Sequence, residues 1–375
     1  MACLSQVKTV LAIQVLHSFV SGILNVAIPL MMKERNIDVV VMGLVFAAMP
    51  LIMQFGRMFF ATISDFWGRK LFFTSNGVLG TISSLIYYLA RTPLEFLFGK
   101  VAEGVKEGTI WAVNRAYLLE KNGGHWRILV YLRTVVYVGF AIGSLAAGFF
   151  VVWLLFDGTM LLCAILGVFS FLLALSLTNE KKAQFNMAKA LRFLDFRRKT
   201  RLFKIFLFLF FMIGLSYGFH GGFVVPLFLD KNNFNAEAIG LIIGVQILLA
   251  GLSSFLFSRT TRMRQLIVLQ GALSSITFSL LGFLDAFSAG LLTVSYGFIE
   301  GMSSIGQEGI LSKICDKESY GTDIGLLMFG LHVGETIGLA LSGFLIAAYG
   351  FVAPFLLAAS TYVVFYLTSY VILKE

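Results

Sequence analysis

Charge is what this chain is short of. Only 13% of its 375 residues are Asp, Glu, Lys or Arg, against 58% hydrophobic ones, and a surface facing water on all sides cannot be built from that ratio. A soluble domain is therefore excluded. Cysteine is scarce as well. Cys3, Cys163 and Cys315 have no metal-ligand spacing and no arrangement suited to a disulfide framework. The four histidines lie in separate segments and no His-x-x-x-His occurs, so neither a metal site nor an intramembrane hydrolase finds its ligands. No nucleotide-cradling Walker loop is present, which excludes direct drive by ATP. No cofactor is implied.

What the chain has instead is apolar runs of about 20 residues, the length that crosses roughly 30 Å of hydrocarbon as helix. The runs are continuous rather than alternating, which excludes a β-barrel. Twelve spans are expected, at approximately 9–32, 39–62, 71–90, 93–119, 129–153, 159–178, 203–229, 237–258, 265–284, 288–312, 323–348 and 352–372. The first is too long for the apolar region of a signal peptide, and it carries His17 and Asn25. With both termini in the cytoplasm, most Lys and Arg fall in cytoplasmic segments, densest in Asn179–Lys204. The net charge of +9 is thus an orientation signal lying against anionic lipid, not a nucleic-acid patch.

The basic segment divides the spans six and six, and the halves repeat. At an offset of 197, Pro29 falls on Pro226, Gly43 on Gly240, and Glu103-Gly104 on Glu300-Gly301. At an offset of 195, "VGFAIGSLAAG" falls on "VGETIGLALSG", aligning Gly139, Gly143 and Gly148 with Gly334, Gly338 and Gly343. An even number of spans per half gives a parallel repeat. Residues 1–178 and 203–375 are therefore expected as two six-helix bundles joined by a cytoplasmic linker, 179–202. The aligned glycines suit close helix packing, because small residues let backbones approach in lipid.

Between spans two and three lies "ATISDFWGRKLFF", in which Asp65, Gly68, Arg69 and Lys70 sit at the spacing of G-x-L-A-D-R-x-G-R-K. With twelve spans in two halves and a basic central loop, the chain resembles the major facilitator superfamily. Ala61 and Phe66 depart from that pattern. In span four, Lys100 and Gly104 stand where many members carry R-x-x-x-G; in span five, Ser144 replaces the proline of the antiporter branch. The resemblance implies an all-α polytopic membrane protein of two pseudo-symmetric six-helix bundles, in which spans one, four, seven and ten line a central cavity.

Ionisable residues inside spans are functional candidates by default, because each costs several kcal/mol unless it faces a partner or a cavity. In span four, Lys100, Glu103, Glu107, Trp111, Asn114 and Arg115 share one face, with Lys106 beside them. Glu103 and Glu107 stand one turn apart, close enough to resist double ionisation and exchange a proton. Span ten presents Glu300, Ser304 and Gln307; span one presents Gln14, His17, Ser18, Ser21 and Asn25; span seven has Tyr217 and His220 beside "GFHGG". His332 and Glu335, three residues apart in span eleven, are a candidate proton relay. Asp65, Gly68, Arg69 and Lys70 read as a gate, Arg69 reaching Glu120 and Asp65 the start of span eleven, with Arg115 nearby.

The function expected is secondary transport of a small organic solute by alternating access, coupled to a proton gradient. The protein is expected as a monomer in the plasma membrane bilayer. The alternative is a non-transporting sensor or a lipid-translocating protein of the same architecture.

Overall fold

The structure, a computed structural model, describes residues 2–122, 127–178, 199–258, 260, 263–315 and 320–372. Among them there is no strand. The helices are α1 (Ala2–Glu34), α2 (Val39–Trp67), α3 (Lys70–Leu89), α4 (Pro93–Lys121), α5 (Arg127–Leu175), α6 (Arg201–His220), α7 (Val224–Lys231), α8 (Ala236–Phe257), α9 (Met263–Leu281), α10 (Ala286–Ile314), α11 (Tyr320–Tyr349) and α12 (Val352–Ile372). Most of the expected linker, 179–198, lies outside the described residues.

Two features separate these helices from the twelve expected spans. Spans five and six run together as α5, divided by a kink at Leu155, whose φ of 59° and ψ of 175° are not helical. Span seven is split into α6 and α7 where "GFHGG" ends, with Gly222 at φ +56°. Among the described residues, seven stretches are long and apolar enough to cross a membrane, and the one within α5, Tyr131–Leu175, has 45 residues, enough for two crossings. Helices α3, α4, α9 and α10 fall short of that apolarity or length. For α4 the reason is its row of buried charges, which burial inside the protein must satisfy instead.

The chain forms two compact units. The first comprises Met1–Ile37, Ala48–Asn186 and Ala236–Gly244; the second comprises Asp38–Ala47, Met187–Asn235 and Val245–Glu375. Each is held by glycines at helix crossings. In the first unit, α1 lies against the N-terminal part of α5: a Cβ on Gly143 would stand 2.0 Å from the Phe19 carbonyl oxygen, and one on Gly139 3.1 Å from that of Val15. In the second, α6 meets α11 in the same register: a Cβ on Gly338 would stand 2.5 Å from the Leu215 oxygen, and one on Gly334 2.1 Å from that of Phe211. The contacts repeat, not merely the letters. The third aligned pair does likewise within its own units, Gly148 against Ala236 and Gly343 against Val39. Contact at backbone distance is what drives helix association where lipid offers no hydrophobic incentive.

The turn from α2 to α3 is compact because Gly68 takes φ +86°, a conformation that costs glycine nothing, and donates its N–H to the Ser64 carbonyl at 3.0 Å. Arg69 then reaches Glu120 at 2.8 Å, and Lys70 donates to the Leu175 carbonyl. The side chain of Asp65 lies outside the described residues. At the start of α11, Asp323, 2% exposed, pairs with Lys199.

Replacing Gly143 or Gly334 with Ala should destabilise the protein by about 1–3 kcal/mol, the cost of overpacking against a rigid backbone. Gly325 has nothing within 4 Å of a Cβ position, so Gly325→Ala should be neutral or stabilising by up to about 1 kcal/mol through helix propensity. Thermal unfolding of the detergent-solubilised protein distinguishes them; equal melting temperatures for the three variants would refute the packing assignment.

Candidate functional site

Helix α4 starts firmly. Thr92 and Glu95 form a reciprocal capping box and Pro93 opens the first turn, which satisfies orphan amides at the helix start. From that fixed end the helix carries its charges inward. Lys100, Glu103, Lys106 and Glu107 are 3%, 3%, 2% and 6% exposed, so each ion must find its compensation within the fold.

Two separate clusters result. Lys100 Nζ lies 2.9 Å from Glu103 Oε2, and Tyr87 donates its hydroxyl to the same oxygen at 2.6 Å. Tyr87 fits because Gly99 leaves room for it: a Cβ there would come within 2.2 Å of the ring. Glu107 is held by more hands. Its Oε2 stands 3.0 Å from His17 Nε2 and accepts from Trp111 Nε1 at 3.0 Å. Its Oε1 accepts from Ser21 at 2.8 Å and pairs with Lys106 Nζ at 3.2 Å, which also donates to Ser21. The neighbouring carboxylates therefore do not share a proton with each other, as their one-turn spacing suggests; each is directed to its own cation. Lys106, whose long stem would let it reach toward the membrane surface, is turned inward.

The polar row continues with Asn114, which donates to Gln14 at 3.0 Å, and Gln14 donates to Ser18. Asn25 is half-buried and Arg115 exposed. Neither belongs to the clusters around the two carboxylates.

The second unit is built from neutral groups around one acid. Glu300 accepts from Gln246 Nε2 at 3.1 Å. Gln307 donates to Tyr217 Oη at 2.5 Å and to Ser303 at 3.2 Å. Ser303 shares a hydrogen bond with Tyr366 at 2.6 Å, and Tyr296 with Tyr362 at 2.7 Å. His220 is set among the rings, 4.3 Å from Phe278, 5.5 Å from Tyr296 and 6.0 Å from Tyr362 between centroids. Its Nδ1 lies 2.7 Å from the Ser216 carbonyl, so that nitrogen carries the proton. On α11, His332 Nδ1 and Glu335 Oε2 are 2.9 Å apart.

Sequence reading misses Tyr87, Gln246, Tyr296, Tyr362 and Tyr366. A tyrosine in an apolar run reads as packing, since its hydroxyl partner comes from another helix. Tyr362 and Tyr366 did leave a trace, four residues apart on one face of span twelve.

Against known proteins, the chain matches the family model described as Major Facilitator Superfamily over residues 10–322. No curated protein matches by sequence. Among solved structures, a point mutant of the nucleoside transporter NupG superposes with a TM-score of 0.83 at 15% identity, covering 99% of this chain and 100% of that one. NupG itself superposes at 0.80, with 15% identity and 99% of each chain covered. The human organic anion transporter MFSD10 (TETRAN) gives 0.67 at 14% identity, covering 97% of this chain and 99% of that one.

Removing one member of a buried ion pair leaves the other uncompensated, at about 3–5 kcal/mol. Lys100→Met should therefore lower stability by that order, while Lys100→Met with Glu103→Gln should recover most of the loss. A double-mutant cycle in thermal unfolding measures it; additive losses would show that the two residues are not coupled.

Proposed function

Because the chain belongs to the major facilitator superfamily, we propose that it is a proton-coupled secondary transporter that carries a neutral, polar, ring-bearing solute of the nucleoside class by alternating access. The observation that carries this reading is the buried cluster in which Glu107 meets His17, Lys106, Ser21 and Trp111 at 2.8–3.2 Å. A carboxylate and an imidazole in hydrogen-bond contact can pass a proton between them without exposing a charge to lipid.

The charge tally speaks to the solute. The two buried lysines of α4 are each paired with a glutamate, so neither is left to bind an organic anion. Within each unit a neutral solute finds hydrogen-bonding groups and an aromatic face, since Trp111 and, separately, Tyr217 are half-buried. Two of the structural neighbours are named as forms of a nucleoside transporter, which agrees with that chemistry. The bodies that move are residues 1–178 and 203–375, with 179–202 as a basic cytoplasmic tether. The protein works as a monomer in the plasma membrane with both termini inside.

Glu103 and Glu300 serve as polar anchors in this scheme, and His332 with Glu335 as a second proton relay. Gly68, Arg69, Lys70 and Glu120, with Asp65 and Arg115, act at the cytoplasmic gate. Arg69 holds the loop to the end of α4 through Glu120.

Uptake of radiolabelled uridine and adenosine into proteoliposomes under pH gradients of either sign tests this. The native protein should accumulate nucleoside only with a gradient. Glu107→Gln should reduce gradient-driven uptake by about 100-fold or more, the range for losing an acid–base group. Full activity of Glu107→Gln would overturn the proton-site assignment, full activity of Glu103→Gln and Glu300→Gln the anchor role, and uptake of organic anions in preference to nucleosides the substrate class.

A further inference from the structure

Helices α1 and α4, which bring the parts of the Glu107 cluster together, meet along a polar seam. From one end it runs through Tyr117, which donates to Gln6 Oε1 at 2.9 Å, then Asn114 with Gln14 at 3.0 Å, then Ser21 and His17 with Glu107 at 2.8 and 3.0 Å. At the far end stands Arg35, one residue past α1, with its guanidinium over the Phe96 ring of α4, 5.6 Å from the centroid. Its Nη1 donates to the Tyr87 and Ala90 carbonyls at the end of α3, and its Nη2 stands 2.6 Å from Asp157 Oδ1. The other oxygen of Asp157 meets Arg91 Nη2 at 3.0 Å. Arg91 precedes Thr92, the cap of α4, and its own amide donates to Glu95 Oε2 at 2.6 Å. One carboxylate thus joins two guanidiniums from two other turns.

Helix α5 explains how the three residues meet. Its N-terminal part packs on α1 at Gly143, and its C-terminal part packs on α3, where a Cβ on Gly77 would stand 2.4 Å from the Phe171 amide nitrogen. Asp157 follows the kink at Leu155 between those parts, where the ends of α1 and α3 converge. The two arms of the clamp differ in weight. The Arg91 side chain is 54% exposed and that of Arg35 only 14%; an exposed pair adds little, whereas a mostly buried guanidinium depends on its counter-ion. Burial and the neighbouring Arg91 press the Arg35 pKa down, and Asp157 opposes them. At the repeat offset of 197 the three residues fall on Asn232, Ser288 and Pro354, none of them charged, and Asn232 turns back to the Phe228 carbonyl of the helix it ends. The clamp belongs to the unit whose α4 carries the buried ions.

We propose that Asp157 is a positioning residue: by holding Arg35 it fixes the end of α1 against the start of α4, and so keeps His17 and Ser21 on Glu107. This rests on the reading of Glu107 as the proton site. The contacts around that carboxylate, at 2.8–3.2 Å, hold their geometry only within about 0.5 Å, so the two helices must be tied at more than one point. The seam supplies ties at Gln6 and Gln14 on one side of the cluster, and Arg35 supplies the tie on the other. Without the Asp157 charge, Arg35 stands beside a second guanidinium with no carboxylate between them. Its easiest relief is to turn outward to solvent, which gives up the Phe96 ring and the α3 carbonyls and frees the end of α1.

The test combines Asp157→Ala with Ser21→Ala in the purified full-length protein, read by thermal unfolding and by uridine uptake under a pH gradient. Sites that share no partner add. If Asp157 acts through the seam, the double variant should lose less melting temperature than the sum of the singles. Asp157→Ala alone should lower the maximal uptake rate about 10-fold, as a small misplacement of reacting groups does, with the half-saturating uridine concentration unchanged. Arg35→Gln should match it, and Arg91→Gln should cost about 2-fold or less, as an exposed pair does. Formate, a carboxylate able to sit between two guanidiniums, should raise the melting temperature of Asp157→Ala and leave that of the native protein unmoved. Where Asp157→Ala does not fold, Asp157→Asn, which keeps the shape without the charge, carries the same cycle. Strictly additive melting shifts would overturn the positioning role, and so would Arg91→Gln as damaging as Arg35→Gln or no response to formate. The thermal cycle and the formate response need no substrate. Failure of nucleoside uptake would therefore refute the transport reading while these two still decide the clamp.

Discussion

A charge taken out of water must be met by another charge or by hydrogen bonds, and the layout of α4 follows from that one constraint. Four ions within eight residues could not be buried in lipid-like surroundings at an idealised cost of order 20 kcal/mol each. The fold answers by pairing them. Lys100 takes Glu103, with Tyr87 as a second donor; Lys106 takes Glu107, with His17, Ser21 and Trp111 around it. These demands reach into neighbouring helices. Gly99 is small so that Tyr87 can enter, and α1 must lie close enough for His17 and Ser21 to reach across. That closeness is provided by Gly143 and Gly22, whose Cβ positions fall 2.0 and 2.2 Å from the backbone oxygens of Phe19 and Phe140. Packing by glycine and compensation of charge are thus one arrangement in the first unit.

Much of the fold was legible in the sequence, because membrane architecture is written in run length. Lipid allows only helices here, so the apolar runs became α1 to α12 with little freedom. The glycine repeat was readable for a related reason: contact at backbone distance leaves no room for a side chain at Gly143, Gly334 and Gly338 and little at Gly139. What could not be read was continuity. Nothing in "VVWLLFDG" announces a kink at Leu155 within α5, since leucine has no preference for φ +59°. The split of α6 from α7 was not expected either: span seven was read as continuous over 203–229, although "GFHGG" lies at the break.

The site was legible in its members and obscure in its pairings. A polar face on a helix identifies which residues avoid lipid, and Lys100, Glu103, Glu107 and His17 were found that way. Helical spacing also suggested that Glu103 and Glu107 answer to each other. Instead each pairs with a lysine of α4 itself, Lys100 at the helical spacing of i, i+3 and Lys106 beside Glu107, and takes further donors from other helices, which carry no fixed sequence distance. Tyr87 is 16 residues from Glu103 and His17 is 90 from Glu107. Arg69 with Glu120 was foreseeable since the loop and the end of α4 are constrained to one membrane face. The side chain of Asp65 lies outside the described residues, so its part in the gate stays a proposal.

The repeat also explains where the chemistry divides. At the offset of 197 that aligns Glu103 with Glu300, Lys100 falls on Gly297, Lys106 on Ser303 and Glu107 on Ser304. The second unit thus keeps the acid and discards its lysine. Gly297 uses the freed space for contact: a Cβ there would lie 2.0 Å from the Gln246 carbonyl oxygen, and the Gln246 side chain then supplies the hydrogen bond that Lys100 supplies to Glu103. Ser303 likewise gives room to Tyr366, whose hydroxyl it meets at 2.6 Å. One repeat position thus holds a cation in one unit and meets an aromatic in the other. Compensated charge thus gathers in the first unit, and rings with neutral hydrogen bonders in the second.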